Sequence, residues 1–127
     1  MRASRTFAVI ASVFGLCGVI LGAFGAHTLK SEISSEMLSV FETGVRYQMY
    51  HTFALFAAAF VLQTKQSGRI VIAAWLFAGG IVLFSGSLYL LAVTGIRGLG
   101  FITPVGGLSF IGGWLMLALG FWEQKEE

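Results

Sequence analysis

Four long apolar stretches dominate the chain, at residues 6–26, 47–64, 70–93 and 101–122, with short polar joints between them. A hydrocarbon layer ~30 Å thick needs about 20 apolar residues of helix to cross it. The first, third and fourth stretches meet that length and the second is the shortest. A segment in lipid must satisfy its own backbone hydrogen bonds, so each stretch is expected to be a helix. The pattern predicts an all-α integral membrane four-helix bundle, up-down-up-down, in one domain over residues 1–127.

The joints carry their own signals. In the first, Ser34 or Ser35 can cap a helix by accepting from an unpaired N–H of its first turn. Met37, Val40, Phe41 and Val45 then recur at helical spacing, while Glu36, Ser39 and Glu42 point elsewhere. That spacing predicts a short interfacial helix, apolar side down, leading toward the second span. The last joint holds Gly95, Gly98 and Gly100. Pro104 follows within the first turn of span four, where its missing N–H costs nothing.

Small residues form stripes on the helices. Ala11, Gly15, Gly18, Gly22 and Ala26 share one face of the first span, and Gly106, Ser109, Gly113 and Gly120 repeat the device in the fourth. Small side chains let helix backbones approach where lipid provides no hydrophobic drive. Gly15, Gly18, Gly22, Gly106 and Gly113 are the expected packing positions. A stripe left spare by the bundle would serve a homo-oligomer or a larger membrane complex.

Composition agrees with this reading. Hydrophobic residues make up 57% and charged residues 11%, against about 25% charged in a typical soluble domain. A small chain buries only part of its surface, so a soluble fold of this size could not hide so much apolar area. The net charge of +2 is too small and scattered to suggest nucleic acid. Its distribution is more telling. Arg2, Arg5, Lys65, Arg69 and Lys125 fall on one side, and Lys30, Arg46 and Arg97 on the other. The positive-inside rule then places both termini and the 65–69 turn in the cytoplasm. The lone cysteine, Cys17, excludes an internal disulfide and reads as a small packing residue.

Polar side chains within the spans gather on the side away from the termini. His27 ends span one. Tyr47, Gln48, Tyr50 and His51 open span two. Ser85, Ser87 and Tyr89 lie in span three, with Thr103 and Ser109 in span four. Helical rise places them within roughly 12 Å of one boundary. Glu42 stands one turn before Arg46 and could pair with it or with His27. Polar groups in lipid are costly unless paired, so the layer implies a mutual network, a wet vestibule or a site.

The leading reading is a non-enzymatic structural or accessory membrane protein whose partner is the lipid bilayer. One alternative is a small transporter or channel component with an outward-facing polar site, although coupled transport usually places an ionisable group at mid-membrane. Another is a haem or metal site between His27 and His51, since neutral imidazole is a good ligand. The chain has no aspartate, and no Walker, Rossmann or zinc-protease pattern. No catalytic residue, cofactor or metal ligand is therefore assigned.

Four motifs carry a resemblance. Leu21-Gly-Ala-Phe-Gly-Ala-His27, Tyr47-Gln-Met-Tyr-His-Thr52, Leu83-Phe-Ser-Gly-Ser-Leu-Tyr89 and Thr103-Pro-Val-Gly-Gly107, the last followed by Gly113-Trp114, occur in this order. Together they resemble the YgdD/YwdK-like family of small bacterial inner-membrane proteins, which has a transmembrane relative in eukaryotes. The resemblance covers nearly the whole chain. It implies a four-pass protein of the bacterial plasma membrane and no established activity. Its motif positions coincide with the polar layer.

Overall fold

The computed structural model describes residues 2–124, and all regular structure among them is helical. The helices are α1 (Arg2–His27), α2 (Ser35–Val61), α3 (Gly68–Gly80), α4 (Gly86–Thr94) and α5 (Thr103–Trp122). A π-helical turn, Ile81–Ser85, joins α3 to α4 without a break. Short 3-10 turns at Leu29–Ser31 and Arg97–Phe101 fill the joints. Lys125, counted in the charge asymmetry, lies outside the described residues.

Local chemistry sets the helix ends. The Ser34 hydroxyl accepts from the Met37 amide at 3.1 Å and starts α2. Ser67 does the same for α3, accepting from the Ile70 amide at 3.3 Å. Gly95 takes the left-handed conformation, φ 72°, and its amide donates to the Leu91 carbonyl at 2.8 Å, which closes α4. A glycine adopts that φ without steric cost. Pro104 sits in the first turn of α5.

Three helical stretches are long and apolar enough to cross a membrane: Arg2–Ser31, Gly68–Thr94 and Arg97–Trp122. α2, at 27 residues, has the length. Its first two-thirds, however, carry Glu36, Glu42, Arg46, Gln48 and His51, which lower its hydropathy. Here the structure departs from expectation. No separate interfacial helix precedes the second apolar stretch, because one helix runs unbroken from Ser35 to Val61. Nothing between Val45 and Tyr47 interrupts helical hydrogen bonding, so the helix that Ser34 caps simply continues.

Neighbouring helices meet with their residue numbers running in opposite directions. Along α1 and α2, Gly15 faces Thr52, Gly18 faces Met49, Gly22 faces Val45 and Gly25 faces Phe41. Along α3 and α5, Gly80 faces Phe110, Gly113 faces Phe77 and Gly120 faces Ile70. α1 packs on α2, α5 packs on α3 and the π turn, and α2 contacts α3 and α4 between them. Both glycine stripes thus lie inside the chain. The outward faces of α1 and α5 are apolar, with Leu16, Val19, Leu108 and Ile111 all exposed. Cys17 belongs to that outward face. The expectation of a packing cysteine is overturned, because the Gly15–Gly18–Gly22 stripe, not Cys17, meets α2.

The two ends of the bundle differ. Toward the 62–67 turn the interior is apolar around Phe7, Leu55, Ile70 and Phe77, with Ser4 the buried polar side chain beside them. Toward the opposite end, polar groups join Phe41, Leu29 and Ala92. The tightest backbone approach falls between these zones. A β-carbon on Gly106 would stand 2.7 Å from the Phe84 α-carbon, with backbone rather than a movable side chain in the way. Gly106→Ala should therefore cost about 1–3 kcal/mol, as overpacking of a tight interface does. Gly107→Ala, whose nearest neighbour would be 3.9 Å away, should be neutral. Denaturant unfolding in mixed micelles compares the two, and equal stability would refute the close approach.

Candidate functional site

The candidate polar residues separate into a buried group and an exposed rim. Gln48, His51, Ser85 and Ser87 are buried, and Tyr89 and Thr103 are partly so. His27, Glu42 and Arg46 are exposed. Among the described residues, no buried side-chain nitrogen or oxygen lacks a hydrogen-bond partner.

Gln48 is the hub of the buried group. Its Nε2 donates to the Phe14 carbonyl of α1 at 2.7 Å. Its Oε1 accepts from the Tyr89 hydroxyl of α4 at 2.6 Å. One amide thus bridges three helices. Beside it, Ser85 Oγ donates to the Gly44 carbonyl at 2.6 Å, and Thr52 Oγ1 donates to the Gln48 carbonyl at 2.7 Å. Glycines make room for this contact set. A β-carbon on Gly44 would stand 2.8 Å from the Tyr89 ring, and one on Gly18 would collide with Met49.

His51 lies on the α5 side. Trp114 Nε1 donates to His51 Nε2 at 3.0 Å, and His51 Nδ1 stands 2.7 Å from the Tyr47 carbonyl. An indole N–H only donates and a carbonyl only accepts. The imidazole is therefore neutral, with its proton on Nδ1. Its ring stacks on Phe110, centroids 3.5 Å apart and planes 6° apart. Tyr47 packs against Phe84 at 4.8 Å and Tyr50 at 5.6 Å.

Two further links hold α5. Ser87 Oγ donates to the Phe84 carbonyl at 2.9 Å, so the Thr103 hydroxyl, 2.6 Å away, is the donor to Ser87. Ser109 Oγ donates to the Leu76 carbonyl at 2.7 Å. At the turn end, Ser4 Oγ donates to the Ala59 carbonyl at 2.8 Å and ties α1 to α2.

The rim behaves differently. Arg46 donates to Thr43 Oγ1 at 3.4 Å. The expected pairing of Glu42 with Arg46 or His27 does not form; both glutamate and arginine instead border a groove of about 300 Å³ lined by Gly22, Gly25, Phe41 and Val45. The two histidines are not brought together. Gly15 is level with Thr52, and His27 lies twelve residues beyond Gly15, roughly 18 Å along the axis. The one lone pair of His51 is already taken by Trp114. This geometry does not fit a haem or metal held between His27 and His51.

Sequence reasoning named Gln48, His51, Ser85, Ser87, Tyr89 and Thr103 but missed several partners. Phe14 contributes only its carbonyl, which no side-chain pattern reveals. Trp114 was noted only as part of a motif, although it shares a helical face with Phe110, four residues earlier. Ser4, before the first apolar stretch, was not among the candidates.

A family model described as a protein of unknown function (DUF423) matches residues 21–107. The chain belongs to that family. Among relatives, the UPF0382 membrane protein YwdK of Bacillus subtilis is 47% identical over 116 residues, covering 91% of this chain and 94% of YwdK. The UPF0382 inner membrane protein YgdD of Escherichia coli K12 is 40% identical over 117 residues, covering 92% of this chain and 89% of YgdD. A UPF0382 membrane protein of Staphylococcus saprophyticus is 46% identical over 116 residues, covering 91% of this chain and 96% of its own. No solved structure matches the chain. The DUF423 segment takes in Gln48, Tyr89 and the Ser87–Thr103 pair, and ends before Trp114.

Within this DUF423 member, the buried links act as staples between helices. Interhelical hydrogen bonds in membrane proteins average about 0.6 kcal/mol and reach about 1.7. Tyr89→Phe should accordingly destabilise the protein by about 0.5–2 kcal/mol, since it also leaves Gln48 Oε1 short of a donor. Trp114→Phe should act similarly through His51. A double-mutant cycle of Tyr89→Phe with Gln48→Leu, read by unfolding in micelles, should be non-additive; additivity would show that the two do not interact.

Proposed function

We propose that the protein is a non-enzymatic structural or accessory component of the bacterial plasma membrane. In this reading it crosses the bilayer four times, up-down-up-down, with α2 as the fourth crossing. α2 can enter lipid despite its polar first two-thirds because Gln48, His51 and Thr52 face other helices rather than acyl chains. Arg2, Arg5, Lys65 and Arg69 favour a cytoplasmic location for the termini and the 62–67 turn. YgdD being named an inner membrane protein supports the plasma membrane. The observation that carries the accessory role is the Gln48 bridge between α1, α2 and α4. A carboxamide engaged on both sides by its own bundle locks helices together and offers nothing to a substrate.

A second reading, a small transporter or channel component, draws on the Glu42–Arg46 groove between α1 and α2. Substrate-dependent flux in proteoliposomes would favour it over the accessory role.

Two measurements test the primary reading. In a Cys17→Ser background, single cysteines at Lys30 and Gly98 should react with an impermeant maleimide on intact cells, and one at Gln66 should not. The reverse pattern would invert the orientation, and labelling of Lys30 and Gln66 from the same side would remove the crossing by α2. In a deletion strain, rescue by point variants should follow their thermal stability. His27→Ala lies outside the staples and should both melt and rescue like the parent. A variant of His27 that melts normally but fails to rescue would exclude a passive role.

A further inference from the structure

One groove joins a cationic mouth to an aromatic floor. Where α1 begins, Arg2, Arg5, Thr6 and Gln63 surround a cleft of about 750 Å³. Ser4, Ala8 and Gln63 also line the next cleft, of about 430 Å³, whose floor is Phe53, Phe56, Ala57 and Phe60. The shared residues set the two clefts side by side along the α1–α2 seam.

Its chemistry is graded. Arg2 and Arg5 are three apart and share a helical face, and no carboxylate among the described residues lines either cleft. The comparable cleft beside Lys65 and Arg69 differs, because Glu123 pairs with Arg69 there at 3.1 Å. Beyond the arginines, Phe53, Phe56 and Phe60 follow at helical spacing and expose their rings, Phe53 by 64% and Phe60 by 73%. From Gln63 to Phe53 the groove descends roughly 15 Å at helical rise, half of a hydrocarbon core of ~30 Å and so one leaflet. The Ser4–Ala59 hydrogen bond holds the seam closed beneath it.

We propose that this groove binds one anionic phospholipid, with the phosphodiester headgroup between Arg2 and Arg5 and an acyl chain laid over Phe60, Phe56 and Phe53. Two guanidiniums on one face repel each other until an anion lies between them, and guanidinium forks match phosphate oxygens. The apolar continuation selects a lipid over a free anion, since a soluble phosphate would leave the aromatic floor uncovered. The site rests on residence in a bilayer, and holds whichever way the chain is oriented and whatever its accessory role.

Native mass spectrometry of the full-length protein, released from micelles containing phosphatidylglycerol and phosphatidylcholine of matched chains, tests it. Phosphatidylglycerol should be retained with a preference of about tenfold or more, as two interfacial arginines allow. Arg2→Gln with Arg5→Gln should abolish that preference. Lys30→Gln with Arg97→Gln, at the other end, should leave it intact. Ala57→Trp, or the milder Ala57→Leu, fills the groove and should reduce retention with both arginines in place. Equal retention of the two lipids, preference surviving the double arginine change, or no effect of either Ala57 variant would overturn the site. Displacement by glycerol 3-phosphate as effective as by phosphatidylglycerol would overturn it in favour of a soluble anion.

Discussion

A polar group in the interior of a membrane protein has no water to turn to, and Gln48 shows how the bundle meets that demand. Its amide needs partners on both its nitrogen and its oxygen. Phe14 supplies one from α1 and Tyr89 the other from α4. Much of the surrounding geometry follows. Gly18 must be small because Met49 and Gln48 press against α1, and Gly44 must be small because the Tyr89 ring crosses there. Remove the amide and these close approaches lose their reason.

The same constraint divides the molecule along its length. Toward the 62–67 turn the helices hold together mainly by shape, with Phe7, Leu55, Ile70 and Phe77 interlocked and the Ser4–Ala59 hydrogen bond added between α1 and α2. Toward the other end, directional bonds fix which helix faces which. Packing in lipid gains little from hydrophobicity, so shape and hydrogen bonds share the task of specifying one arrangement. α2 carries most of the polar groups and lies between α1 and the α3–α4 stretch. In that position its middle turns its polar side chains inward, with Gln48, His51 and Thr52 buried, while Glu42 and Arg46 nearer its start stay exposed.

The sequence made the local features readable. Ser34 announces a helix start by its hydroxyl, Pro104 marks the first turn of α5, and the glycine stripes show which faces meet. These depend on neighbours a few residues away. The polar layer was legible as a set of positions, since Gln48, His51, Ser85 and Tyr89 interrupt apolar runs. Who bonds whom was not legible. The His51–Trp114 bond spans 63 positions, and the Gln48–Phe14 bond uses a carbonyl that every residue possesses. The short interfacial helix expected ahead of span two reflected a change in polarity, which does not stop a helix when no breaker is present. Cys17 was misplaced for a related reason: its apolar neighbours on both sides hid which face of α1 it occupies.

The π turn at Ile81–Ser85 sets the phase of everything after it. Holding one surplus residue within a single turn offsets the following helix by about 100° relative to an uninterrupted α-helix. Ser85, Ser87 and Tyr89 meet Gly44, Thr103 and Gln48 in the phase that this offset sets. With regular winding, the same three hydroxyls would be swung toward different surroundings, and the span would be a smooth rod with its polar side chains out of step. A local irregularity in winding thus lets one continuous helix present a close-packed seam to α5 along one half and hydroxyls to both α2 and α5 along the other.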